Sequence, residues 1–97
     1  MRILVGAVLL AAAHVPAQAG SPFVGKWDCG VATFTFTETT YNNGSETLRM
    51  TKVEKDGGDY TLSFPNDYKI MLTGIKANAM TWISGESGDD FQCKRVK

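Results

Sequence analysis

The chain has 97 residues, ten Lys/Arg against ten Asp/Glu, one histidine and two cysteines. That length holds a single small domain, and the balanced charge leaves no basic stripe of the kind that nucleic-acid binding needs. No stretch approaches the ~20 apolar residues of a membrane-spanning helix.

The first element in chain order is a leader. Arg2 supplies a positive start, Ile3 to Ala13 an apolar run, and Ala17-Gln18-Ala19 a small-residue cleavage site. This is the arrangement of a secretory signal peptide. The expectation is a signal peptide at 1–19 and a single β-barrel domain at 20–97, secreted, with the bacterial periplasm as destination. The one histidine, His14, falls in the leader. The mature domain is therefore expected to have no imidazole base and no His metal ligand.

Beyond the leader the pattern is alternation broken by turn residues, which predicts strands. Gly25-Lys26-Trp27-Asp28-Cys29 opens the domain as a strand at 25–29. Ala32, Phe34 and Phe36 alternate with threonines at 32–37. Thr39 to Asn42 is a short candidate strand ahead of Asn43-Gly44, a pair suited to the positive φ of a tight turn. Asn43-Gly44-Ser45 also matches the glycosylation acceptor pattern, but the turn role accounts for it. A strand over 46–54 carries Leu48 and Met50, and the break in alternation at Lys52-Val53 predicts a bulge. Asp56-Gly57-Gly58-Asp59 turns the chain into 60–64, with Tyr60, Leu62 and Phe64 inward. Pro65-Asn66-Asp67 stops that strand. Residues 68–73 follow with Tyr68, Ile70 and Leu72 inward, then 79–84 with Met80 and Trp82. Gly85 to Asp89 leads into the last strand, 90–96. No segment has a helical period.

The two ends of the domain hold both cysteines. With Cys29 opposite Cys93 in an antiparallel pair, Trp27 faces Arg95 and Asp28 faces Lys94. One register then yields a disulfide, a cation over an indole and a salt bridge. Antiparallel ends require an even number of strands in a meander, so Thr39 to Asn42 is counted as the eighth. The predicted fold is all-β: a small antiparallel up-and-down barrel of about eight strands, closed by a disulfide between the first and last strands.

Gly25-Lys26-Trp27, with Arg95 on the last strand, resembles the Gly-x-Trp and basic-residue pair of the calycins, the superfamily of lipocalin-type barrels. The resemblance implies a structural role for Trp27 and Arg95, closing one end of the barrel. It covers both ends of the chain and the meander between them. The domain is much shorter than a ligand-carrying lipocalin, and Phe34, Phe36, Leu62, Phe64, Ile70, Leu72 and Trp82 leave little lumen. Its size is closer to the small periplasmic barrels that inhibit lysozymes or proteases. Lysozyme-inhibitor barrels carry a Ser-Gly-x-x-Tyr loop. Here Ser84-Gly85-Glu86-Ser87 is followed by Gly88, so that activity is not carried over.

With no histidine and both thiols in a disulfide, carboxylates are the only acid–base groups left. Glu86, Asp89 and Asp90 do not follow the spacing of a calcium loop and read as a solvated hairpin end. No enzyme activity, cofactor or metal site is expected. Met71, Ile83 and Val96 lie off the core phase and would form an outer apolar patch if they cluster. The functional expectation is a binding module for a macromolecular partner, an inhibitor or an envelope accessory protein, with Glu86, Ser87, Asp89 and Asp90 making the contact. The alternatives are a carrier of a small hydrophobic ligand in the barrel interior and a carboxylate-dependent hydrolase.

Overall fold

A computed structural model describes residues 20–97; the leader expectation at 1–19, with His14, lies outside the described residues. The strands are β1 (Gly25–Asp28), β2 (Thr33–Phe36), β3 (Thr40–Asn42), β4 (Thr47–Arg49), β5 (Lys52–Asp56), β6 (Asp59–Ser63), β7 (Lys69–Thr73), β8 (Ala79–Ser84) and β9 (Asp90–Arg95). A 3-10 turn at Pro65–Asp67 separates β6 from β7. The ladders are antiparallel and make one sheet in the order β4-β3-β2-β1-β9-β8-β7-β6-β5. The sheet curls into a half-barrel around an aromatic core. Among the described residues no helix is long and apolar enough to cross a membrane.

Two expectations are corrected. The strand count is nine, not eight, and the barrel is not closed. Thr40–Asn42 does form a strand, but the single strand expected over 46–54 divides into β4 and β5. No ladder joins these two, and they are the free edges of the sheet. Met50 and Thr51 carry the chain between them. The Met50 N–H donates to Thr39 O (2.8 Å), and the Thr51 N–H donates the other way, to Ser63 O (2.8 Å). Lys52 is also the register partner of Ser63. Two residues thus face one, which is a bulge, placed one residue ahead of the expected break. Since β4 and β5 run the same way, the number of reversals is that of eight strands, and β1 and β9 still meet antiparallel.

The predicted end register is present. Lys94 pairs with Asp28 and Arg95 with Trp27, and Cys29 and Cys93 form a disulfide across a sequence separation of 64. The expected Asp28–Lys94 ion pair is absent. Asp28 Oδ1 instead accepts the Gly30 N–H (3.0 Å) and holds the turn that follows β1.

Trp27 is fully buried, and its Nε1–H donates to Phe23 O (2.9 Å). The Arg95 guanidinium lies 4.3 Å from the Trp27 ring centroid. It also donates to Ala77 O (2.7 Å), Val24 O (2.9 Å) and Pro22 O (2.8 Å). One planar fork therefore ties the last strand to the segment ahead of the first. Gly25 makes room for it. Its φ is +134°, and a Cβ there would stand 2.5 Å from Arg95 Nη1.

The core is aromatic. Phe36 stacks on Tyr41 (4.9 Å), and Phe34 meets Tyr41 edge-on (5.5 Å). Phe23, isolated among small residues in the sequence, is fully buried and bridges Phe36 (5.8 Å) and Tyr60 (5.1 Å). It plugs the space between opposite parts of the curled sheet. Leu62, Ile70 and Leu72 are fully buried, and Trp82 nearly so. Two buried groups, Trp82 Nε1 and Ser63 Oγ, have no hydrogen-bond partner among the described residues. The three off-phase apolar residues do not cluster into one outer patch. Met71 and Ile83 are cross-strand partners and half-buried, whereas Val96 extends past the opposite end of β9.

Candidate functional site

Open space flanks the turn between β6 and β7. Two adjoining clefts meet at Tyr68. The larger, about 520 Å³, is lined by β4 (Thr47, Leu48, Arg49) and by Phe64, Pro65, Asn66, Tyr68 and Glu86. The smaller, about 310 Å³, takes in Thr61, Asp67, Lys69, Met71 and Gly85 beside Asn66, Tyr68 and Glu86.

The wall between the clefts is built by local constraints. Pro65 ends β6 because it has no N–H to offer a ladder. Asn66 and Asp67 then take φ of 66° and 61°, a conformation that Asn and Asp tolerate better than most residues. The Phe64 N–H closes the turn onto Tyr68 O (2.8 Å). Tyr68 emerges half-buried, its ring 5.7 Å from that of Phe64.

Glu86 shares both clefts with Tyr68, and a close backbone approach fixes the loop that carries it. The Gly85 N–H donates to Lys69 O (2.9 Å), and a Cβ on Gly85 would stand 2.7 Å from that same oxygen. Gly85→Ala must therefore push the loop off β7. The expected outcome is a loss of about 1–3 kcal/mol in denaturant unfolding, together with a changed Tyr68 environment. The buried Ser84 hydroxyl accepts the N–H groups of Glu86 (3.2 Å) and Ser87 (3.1 Å). Ser87 Oγ donates to Asp89 Oδ2 (3.0 Å). The loop is thus a fixed wall.

Of the four residues expected to make the partner contact, Glu86 lines both clefts. Ser87 and Asp89 spend their side chains on each other, and Asp90 begins β9 opposite Ile83. Sequence reasoning placed Tyr68 inward, and its ring does pack against the core while also lining both clefts; Arg49 and Asn66 it left unassigned. The available signal was Pro65, which withholds an N–H at the point where a barrel would need one. Among the described residues no group of three or more His, Cys, Asp or Glu is placed to hold a metal ion.

Burial, and then the Glu86 carboxylate, hold the Tyr68 phenol above its ordinary value of 10.0. Burial likewise raises Tyr41, with a further push from Tyr68. The folded state therefore keeps these protons where the unfolded chain releases them. Their stabilisation is complete below pH ~10 and is lost as pH rises through the folded values. Spectrophotometric titration is expected to show Tyr41 and Tyr68 ionising late. Glu86→Gln should bring Tyr68 earlier while leaving Tyr41 above the ordinary value; an unmoved Tyr68 would show that Glu86 does not face it.

No family model, curated protein or solved structure matches the chain.

Proposed function

We propose that this protein is an exported binding module for a macromolecular partner, acting as an inhibitor or an envelope accessory protein of the bacterial periplasm. The observation that carries this reading is the location of the free space. Aromatic side chains crowd the core, while two clefts open to solvent share the Tyr68 wall. A carrier of small hydrophobic ligands needs the reverse arrangement. A disulfide between the terminal strands is compatible with an oxidising compartment. The Trp27–Arg95 stack supports a distant calycin-like ancestry, with the pair in a structural role. The absence of a histidine from residues 20–97 leaves carboxylates as the acid–base groups, and we read the protein as a binder without enzyme activity.

The test is native mass spectrometry on the protein gently purified from its own source. A monomer mass beside a heavier protein complex is the expected result. A retained small-molecule mass would overturn the reading in favour of a carrier. Tyr68→Ala and Glu86→Ala should then weaken the complex; if neither does, the clefts are not the contact.

A further inference from the structure

Backbone parity identifies which groups face the larger cleft. The Asn43 N–H donates to Glu46 O (3.1 Å) and the Met50 N–H to Thr39 O (2.8 Å). Between them Tyr41 lies opposite Leu48, with Thr40 opposite Arg49 and Asn42 opposite Thr47. In an antiparallel pair, bonded and non-bonded positions alternate. Bonded pairs therefore fall at 43/46, 41/48 and 39/50. The backbone groups of Thr47 and Arg49 point away from β3, into the space bounded by Phe64, Pro65 and Asn66. Among the described residues they have no backbone partner.

The next residue in the same phase, Thr51, does find its partner, Ser63 O. Past Ser63 the neighbouring chain stops being a strand. Pro65 has no N–H, and the positive φ of Asn66 and Asp67 turns the backbone aside. The cleft thus lies where a continuation of β6 past Ser63 would pair with β4 in a closed barrel.

We propose that this notch takes an extended segment of a partner polypeptide, which adds to β4 as a further antiparallel strand. The proposal rests on the binding-module reading and deepens it by naming the recognition mode. Geometry sets the chemistry of the segment. Its residue opposite Leu48 shares the core face with Leu48 and meets Phe64 and Tyr68, so it is apolar or aromatic. The Glu86 carboxylate on the same rim disfavours a second acid at that position. Its two neighbours bond to Thr47 and Arg49 through their backbones and present side chains outward. Arg49 makes no ion pair among the described residues, so the residue opposite it is acidic.

The test uses the full chain and the blocked peptide Ser-Glu-Phe-Thr-Ser, which sets Glu opposite Arg49 and Phe opposite Leu48. NMR titration to about 10 mM peptide reaches the weak affinities expected of so short a strand. The expected result is shifts at the Thr47 and Arg49 amides, with exchange slowed about tenfold or more. N-methylation of the peptide Glu or Thr should abolish binding, while N-methylation of the Phe should spare it. Thr47→Pro removes one outward N–H without touching the backbone bonds to β3, as proline on an edge strand permits; the Asn42 Nδ2–H to Thr47 Oγ1 bond (2.9 Å) that it also removes is lost equally in Thr47→Val. It should fold, by its amide spectrum, and fail to bind; Thr47→Val should bind normally. The proposal is overturned by shifts elsewhere, by no shift at the top concentration, or by equal sensitivity to all three N-methylations. If Thr47→Pro still forms the native complex seen by mass spectrometry, strand addition falls and the binding-module reading stands. If the unaltered protein forms no complex, that reading falls with it.

Discussion

Breaking the Cys29–Cys93 bond is expected to remove about 4 kcal/mol of stability, because the bond closes a loop across 64 positions and denies the unfolded chain most of its freedom. A small domain holds only about 5–15 kcal/mol in all, so the loss is a large share of the whole. At about 4–8 °C per kcal/mol for a domain of this size, the midpoint should fall by about 15–30 °C. Replacing both cysteines with alanine is the cleaner variant, since both are buried and serine would add hydroxyls without partners. Urea unfolding of the paired variant against the oxidised protein measures the difference. A shift under about 1 kcal/mol would mean that the end strands hold together without the bond.

The second large effect is expected at Trp27. Trp27→Ala should cost about 3–5 kcal/mol, the range for deleting a buried large aromatic. The indole does three jobs at once. It is fully buried in the core, it satisfies Phe23 O, and it supports the Arg95 guanidinium. Trp27→Phe separates these roles, because it keeps most of the packing and loses the N–H donor. Arg95→Lys should be nearly as harmful as Arg95→Ala. A single ammonium cannot reproduce a planar fork that reaches Ala77, Val24 and Pro22. A double-mutant cycle between positions 27 and 95 should show coupling of about 0.5–2 kcal/mol. Additive single losses would mean that the ring and the cation act independently.

The end register was legible because three features reinforced one another: two cysteines, an indole facing an arginine, and parity. The inward faces of β2 and β6 were legible because threonine alternates with aromatic and aliphatic residues, and those of β7 and β8 because Ile70, Leu72, Met80 and Trp82 keep the period despite Met71 and Ile83 off phase. The Asp28–Lys94 ion pair was misread because facing positions in a ladder do not oblige charged groups to meet. Asp28 had a nearer donor in Gly30. The break between β4 and β5 was misread because alternation describes the faces of a strand and is silent about its lateral neighbours. Met50 and Thr51 keep a plausible pattern while their N–H groups turn to opposite sides. Phe23 was missed because one aromatic in a turn has no period. Tyr68 was placed inward by phase, yet the turn ahead of it leaves the ring half out, on the wall of the clefts.

The covalent link between the terminal strands also makes the domain a ring in the topological sense. Seven of the nine strands, β2 to β8, lie wholly between Cys29 and Cys93. A protease that cuts once in any exposed turn on that arc, such as Asn43-Gly44 or Gly57-Gly58, opens the ring without dividing the molecule. The two pieces stay joined through sulfur and keep their places in the same sheet. A nicked copy of this protein is expected to remain one folded object until a reductant reaches it.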